Sequence, residues 1–287
     1  MSQVYLNGEF IPVEEAQISV LDRGFLFGDG VYEVIPLFNG KPLQQEEHIA
    51  RLYRSLDAID LSIDQKPEEW SKLFQTLFFL NKDDGDNQSI YLQITRGTGK
   101  VRSHNYPDGV KPTVFAMTMP FIPGIQANQP HAGGKAITVA DQRWQRCDIK
   151  SISLLGNLIP HHSAVQAGVT EAIQIDDQGR VTEGASSNVF VICDGRIITP
   201  PLSDRILGGV TRALILQLAA NDSRYICEER ELSANDLQQA DEIWITSSSR
   251  EIVPIIELDG VSVGSGKPGP VWEYMAGLYR SYRDGTS

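Results

Sequence analysis

Cysteine is scarce in this chain. Cys147, Cys193 and Cys227 are odd in number, widely spaced and never in a Cys-x-x-Cys pair. That excludes a disulfide framework and a thiolate zinc site as organising features. Cys193 and Cys227 read as small buried apolar residues. Basic residues are also few, 25 against 37 acidic ones, which gives a formal charge of −12. Such a surface does not neutralise the phosphates of a nucleic acid or an anionic membrane, although a few buried Arg or Lys can still hold a small anion. No apolar run approaches the length that crosses a bilayer. The opening Met1-Ser2-Gln3-Val4-Tyr5 lacks the basic and apolar regions of an export signal, so a cytoplasmic location is the default expectation. Internal repeats and low-complexity tracts are missing too.

What remains is a 287-residue chain of ordinary apolar content, 41%, long enough for one large domain or two moderate ones. Val4-Tyr5-Leu6, Asn7-Gly8 and Glu9-Phe10-Ile11 read as a hairpin, and the strand through Val31–Ile35 runs to a second turn at Asn39-Gly40. Ile49, Leu52, Tyr53 and Leu56 recur at helical spacing, as do Trp70, Leu73, Phe74, Leu77 and Leu80. Strands follow at 90–94 and 113–117. The Pro-, Gly- and Gln-rich stretch 120–134 is the candidate interdomain linker. Beyond it the pattern predicts strands at 137–139, 172–175, 189–192, 197–199 and 243–246, with helices at about 157–167 and 210–220. Hairpins with helices between them indicate mixed α/β or α+β sheets in two lobes.

Four local features could carry chemistry. Lys150 lies between Ile149 and the apolar Leu154-Leu155. A lysine there ordinarily snorkels to water, but desolvation would lower its pKa and free the amine for attack on a carbonyl. Glu183 ends a strand and leads into Gly184-Ala185-Ser186-Ser187-Asn188, a turn composition that could also set a carboxylate against a cationic ring nitrogen. Gly208-Gly209-Val210-Thr211 opens an apolar helix whose N–H groups suit a phosphate. Helix entry alone explains it equally well, and no Lys-Ser or Lys-Thr makes it a Walker motif. Thr246-Ser247-Ser248-Ser249 closes a strand with hydroxyls able to bind an anion, or forms a plain loop. A lysine, a carboxylate and an anion cradle together match the needs of pyridoxal phosphate.

The motifs resemble the fold-type IV pyridoxal-phosphate enzymes, and within them the D-amino-acid transaminases most. The resemblance runs from Asp22-Arg23-Gly24-Phe25 through Phe27-Gly28-Asp29-Gly30-Val31-Tyr32-Glu33-Val34 and Glu47-His48-Ile49-Ala50-Arg51-Leu52-Tyr53. It continues over 146–155, 182–188 and 209–212 to Glu251-Ile252-Val253-Pro254. It implies an α/β fold with an N-terminal lobe 1–119, a linker 120–134 and a C-terminal lobe 135–287, the cofactor in the cleft between the lobes, and a homodimer. By the same resemblance Lys150 carries pyridoxal 5′-phosphate as a Schiff base and shuttles the substrate Cα proton. Glu183 binds the ring nitrogen and Leu207 packs on the ring. Arg51, Gly209, Val210, Thr211, Ser247 and Ser248 hold the phosphate. Tyr32, Arg102 and His104 grip the substrate carboxylate, and Val34 and Ser186 complete the substrate contacts.

The activity so implied is ping-pong transfer of an amino group from a D-amino acid such as D-alanine to a 2-oxo acid such as 2-oxoglutarate. No metal, nucleic acid or membrane partner is expected. Alternatives are an R-selective amine transaminase, a branched-chain L-amino-acid transaminase and aminodeoxychorismate lyase. A protein that only carries pyridoxal phosphate is the non-enzymatic alternative.

Overall fold

A computed structural model of the protein describes residues 2–126 and 131–286. The chain divides into two compact units, Met1–Ile122 with Ile149–Leu154, and Pro123–Asp148 with Leu155–Ser287. Of the expected linker 120–134, residues 127–130 lie outside the described residues.

In the first unit β1 (Gln3–Leu6), β2 (Glu9–Pro12), α1 (Arg23–Phe27), β3 (Gly30–Phe38), β4 (Lys41–Pro42), α2 (Gln45–Asp57), α3 (Glu69–Leu80), β5 (Gln88–Thr95) and β6 (Thr113–Pro120) follow in order. The strands form one six-stranded sheet in the order β2-β1-β6-β5-β3-β4, antiparallel throughout. The turns at Asn7-Gly8 and Asn39-Gly40 place both residues at positive φ, which matches the twist of a tight hairpin. Val31, Glu33 and Ile35 on β3 are fully buried and alternate with half-buried Tyr32 and Val34. The two-residue period of a strand therefore sends Glu33 to the opposite face from Tyr32. Helix α2 turns Ile49, Leu52 and Leu56 into the same core as Val31 and Ile35, and buries His48, Arg51 and Ser55 beside them.

The stretch Ile149–Leu154 belongs to this unit, not to the C-terminal lobe 135–287 expected from sequence. Local pairing is the reason. The Tyr32 N–H donates to the Lys150 carbonyl at 3.0 Å, the Ile152 N–H donates to the Gly30 carbonyl at 3.1 Å, and Ile149 joins the first core. Glycine at 30 serves the β3–β5 pairing first, because a Cβ there would stand 2.5 Å from the Ile94 carbonyl oxygen, and it would also press on Ile152 Cδ1 at 3.1 Å.

The second unit contains β7 (Gly134–Ala140), α4 (Leu155–Gln166), β8 (Glu171–Ile175), β9 (Arg180–Gly184), β10 (Asn188–Cys193), β11 (Arg196–Thr199), α5 (Val210–Asp222), β12 (Cys227–Glu229), β13 (Leu232–Ser233), α6 (Ala234–Gln238), β14 (Glu242–Ser247), β15 (Glu251–Leu258), β16 (Val261–Ser262) and α7 (Pro270–Asp284). Its ten-stranded mixed sheet runs β12-β11-β10-β14-β15-β7-β8-β9-β13, with β16 paired to β15. The β11–β12, β15–β7 and β7–β8 pairs are parallel.

Two expectations need correcting here. Cys193 and Cys227 are only half-buried, and Cys147 is the buried cysteine. Cys227 lies on the edge strand β12 and Cys193 ends β10, so neither is enclosed on all sides. Helix α4 starts at Leu155, two residues before the expected 157, and so carries Pro160 in its interior. The ring removes the bond that residue 160 would make to the Gly156 carbonyl, yet the helix continues to Gln166.

Candidate active site

Lys150 is half-buried, with its ammonium 4.2 Å from the centre of the Tyr32 ring. A lysine extended into water would not lie on an aromatic face. Its backbone N–H donates to Ser55 Oγ at 3.2 Å, so both β3 and α2 fix its position. One turn before Ser55, Arg51 is buried at 4% exposure. It is not the solvated charge that an amphipathic helix ordinarily carries. Its Nε and one terminal nitrogen each donate to a different oxygen of Glu33 at 2.7 Å. His48 Nδ1 lies 2.8 Å from Glu33 Oε2. Burial alone would raise the Glu33 carboxyl, but Arg51 and His48 together hold it well below its ordinary 4.5. Burial also lowers His48, against the pull of Glu33. Glu33 is thus an anion that can only accept, which places the His48 proton on Nδ1.

Of the carboxylate-gripping residues expected from sequence, Tyr32 lies on β3, and Arg102 and His104 lie in the segment between β5 and β6. Arg102 and His104 are exposed there and flank Phe27 of α1, with the guanidinium 4.8 Å and the imidazole 5.4 Å from its ring centre. Arg23 fastens this segment by donating to the Ser103 carbonyl at 2.6 Å and the Asn105 carbonyl at 3.2 Å. Arg96 lies 3.6 Å from the ring centre of Tyr106. Arg23 and Arg96 share the carboxylate of Asp29. Among the described residues neither Arg102 nor His104 is hydrogen-bonded to Tyr32. Val34 is half-buried two residues beyond Tyr32 on the same strand face. An open cavity of about 990 Å³ in this unit is lined by Arg23, Lys100, Ser103, Tyr106 and Lys111 among others, and none of Lys150, Tyr32 and Arg51 lines it.

In the second unit Glu183 is the last residue but one of β9, at 5% exposure. Its Oε2 accepts from the Leu207 N–H at 3.0 Å and from Asn188 Nδ2 at 3.2 Å, and its Oε1 accepts from Arg143. Burial pushes this carboxyl up, while Arg143 and the Leu207 amide pull against it. Asn188 Nδ2 also donates to the Leu207 carbonyl at 2.8 Å, locking the loop ahead of α5. A side chain at Gly209 would run into Asn188 Oδ1, so the close approach of that loop requires glycine. Helix α5 then begins with Gly209 as N-cap and no side-chain cap. The first-turn amides of Val210 and Thr211 are left without helical partners. Half-buried Ser247 ends β14 and half-buried Ser248 follows it, and Ser247 Oγ accepts from the Arg250 N–H at 3.2 Å. Ser186 is exposed and accepts from Arg250 at 2.8 Å. Within this unit Glu183 and Leu207 are therefore joined directly, and Ser186 is tied to the Arg250 that follows Ser247 and Ser248.

Sequence reasoning passed over Asp141 and Arg143, which end a chain of buried contacts on Glu183. The available signal was a charged Asp-x-Arg directly after the apolar strand residues Ile137 and Val139. Glu33 and His48 stood inside recognised motifs, but no role was drawn for them.

Residues 30–258 match the amino-transferase class IV family. The chain belongs to the class IV aminotransferases. Among relatives, the D-alanine aminotransferase of Bacillus licheniformis is 42% identical over 94% of this chain and 93% of its own. That of Staphylococcus aureus (strain COL) is 38% identical over the full length of both. Among solved structures, the branched-chain amino acid aminotransferase of Escherichia coli superimposes with a TM-score of 0.89 at 26% identity, covering 100% of this chain and 96% of its own. A second branched-chain amino acid aminotransferase, solved with pyridoxamine 5′-phosphate, gives 0.91 at 25% identity, covering 100% and 95%. Lys150, Glu33, His48, Arg51, Glu183 and Arg143 all fall within the stretch of this class IV aminotransferase that the family match spans.

Proposed function

We propose that this aminotransferase moves the amino group of D-amino acids, D-alanine foremost, to a 2-oxo acid such as 2-oxoglutarate, with pyridoxal 5′-phosphate as its cofactor. The observation that carries the substrate class is the 38–42% identity to D-alanine aminotransferases along nearly the whole chain, well above the 25–26% shared with the branched-chain enzymes. Two features of the second unit fit the cofactor. Among the described residues no donor fills one acceptor position on Oε1 of buried Glu183, as a protonated ring nitrogen requires. Helix α5 starts without a cap, as a phosphate requires.

Bound pyridoxal phosphate supplies an electron sink for the pair released when a substrate Cα–H bond breaks. Lys150 would hold the cofactor's aldehyde carbon and, as the free neutral amine once the substrate nitrogen has displaced it, would move the proton at substrate Cα, with the Tyr32 ring beside its Nζ to set the approach. Arg51 binds the phosphate together with Gly209, Val210, Thr211, Ser247 and Ser248, while Leu207 packs on the ring. Arg102 offers a planar fork to the substrate carboxylate, and His104 and Tyr32 add donors that fix its orientation. Val34 and Ser186 contact the rest of the substrate. With the carboxylate fixed on one side, only one enantiomer directs its Cα–H at Lys150. The exposed apolar Leu155, Leu158 and Ile159 of α4 support a homodimer.

The test is the visible spectrum of the reconstituted protein during separate additions of D-alanine, L-leucine and an R-amine. D-alanine alone should discharge the cofactor band. Discharge by L-leucine alone, or equally by the R-amine, overturns the substrate class. Failure to acquire any visible band overturns the role given to Lys150.

A further inference from the structure

The three buried charges around Glu183 do not balance. Asp141, Arg143 and Glu183 have side chains only 6%, 3% and 7% exposed, and two carboxylates share one guanidinium. Asp141 is saturated. Its Oδ1 accepts from the Arg143 backbone N–H at 3.1 Å and from Arg143 Nε at 3.0 Å. Its Oδ2 accepts from the Arg143 terminal nitrogen and from Thr182 Oγ1, both at 2.7 Å. All four acceptor positions are filled. Among the described residues Glu183 has three donors for its four positions, two on Oε2 and Arg143 alone on Oε1. With both carboxyls ionised the cluster therefore carries one negative charge more than Arg143 offsets, and the acceptor position left open among the described residues is on Glu183 Oε1. An excess charge buried this deeply is tolerated when a cation meets it.

We propose that Arg143 is a positioning residue that keeps the proton shared by Glu183 and its cationic partner on the partner, by stabilising Glu183 as the carboxylate and fixing Oε1 in place. The inference rests on the reading of Glu183 as the acceptor for the cofactor's ring nitrogen. The shared proton has two resting places, the nitrogen or the carboxyl oxygen. Desolvation favours the neutral carboxyl, and the adjacent guanidinium favours the anion. The Asp141 fork in turn holds the guanidinium rigid, and Gly156 leaves room for its stem, since a Cβ there would stand 3.0 Å from Arg143 Cγ. The titratable and charged groups acting on Glu183 are Arg143, Asp141 and the Cys147 thiol, with Asn188 and the Leu207 amide as neutral donors. Burial pushes the Cys147 thiol up to about 11, so it stays neutral near pH 7 and adds no charge.

The experiment is nitrogen NMR of the protein loaded with pyridoxal phosphate isotopically labelled at its ring nitrogen. In the unaltered protein the nitrogen should give a protonated signal that persists as pH rises. Arg143→Met should lower the apparent pKa of that nitrogen by ~1–3 units, so that the protonated signal fades into the unprotonated one. Arg143→Met also strands Asp141, so Asp141→Asn/Arg143→Met is measured beside it and should show the same fade. Arg143→Lys keeps the charge and should retain the protonated signal. A persistent protonated signal in a folded Met variant overturns the proposal, as does its loss in Arg143→Lys. An unprotonated nitrogen in the unaltered protein overturns it together with the role of Glu183. Uptake of the labelled cofactor is read separately, so failure to load tests the Lys150 assignment and not Arg143.

Discussion

Removing the Glu33 carboxylate while keeping its shape, as in Glu33→Gln, strands a guanidinium in the first core. Arg51 is 4% exposed and Glu33 is fully buried, and the pair is joined through two 2.7 Å bonds to separate oxygens. Breaking a buried pair from one side costs about 3–5 kcal/mol, because the remaining charge has lost its partner. That is a large part of the ~5–15 kcal/mol that holds a typical domain folded. With a urea slope of about 1–3 kcal/mol per molar, the midpoint should fall by ~1–5 M. The measurement is urea unfolding of the cofactor-free protein, so that ligand binding to the folded state does not add stability. Glu33→Leu/Arg51→Leu removes both charges, and exchanging a buried pair for apolar side chains is often close to neutral. The double variant should therefore unfold nearer to the unaltered protein than Glu33→Gln does. A single variant within ~1 kcal/mol of the unaltered protein, or a double variant as unstable as the two single losses added, refutes the argument that the pair is internally compensated.

The same cluster fixes the sign of the acid response. His48 is held below its ordinary 6.5 by burial, so the unfolded chain takes up that proton first and stability falls as pH drops below about 6.5. His48→Gln should flatten this window, and a midpoint that rises on mild acidification contradicts it. Glu33, pushed up by burial but held down further by Arg51 and His48, lies below its ordinary 4.5. Its contribution is complete above about 4.5 and is lost toward lower pH. Lys150→Ala should abolish both turnover and the visible cofactor band, and near-normal turnover would remove that residue from the mechanism. Arg102→Ala should weaken D-alanine ~10–100-fold, the loss of a charge-assisted bond, and R-amines far less. Equal losses for both substrate types, measured as kcat/KM, reject the carboxylate grip.

Periodic features were the legible ones. The Asn-Gly turns, the spacing of Ile49, Leu52 and Leu56, and the alternation through Val31–Ile35 each follow from a local steric or burial rule, and the elements form where those rules place them. Asp194-Gly195 and Asp259-Gly260 obey the same turn chemistry, with both residues of each pair at positive φ, and could have been read in the same way. The allegiance of Lys150 was not legible. Nothing in residues 149–154 shows that their backbone pairs with β3, because the partners are the main-chain groups of Gly30 and Tyr32 more than a hundred residues earlier. The motif identified the lysine, and long-range hydrogen bonding decided its neighbours.

Buried charge was the other illegible quantity. A formal charge of −12 describes the solvated surface, whereas the two buried clusters have signs of their own. In the first unit Arg51 and Glu33 cancel, and burial favours a neutral His48 beside them. A cancelled pair stabilises and orients without needing any outside ion, which suits a residue that must hold its geometry whether or not a ligand is present. In the second unit Asp141 and Glu183 outnumber Arg143. The leftover charge, together with the open acceptor on Glu183 Oε1, gives the cluster a reason to bind a cation there. Arg51 and Arg143 would look alike in any composition count, each a single positive residue amid acidic neighbours. Their difference lies in how many carboxylate oxygens each must satisfy, two of Glu33 in one case, and in the other both of Asp141 with one of Glu183. Only the folded chain sets that number.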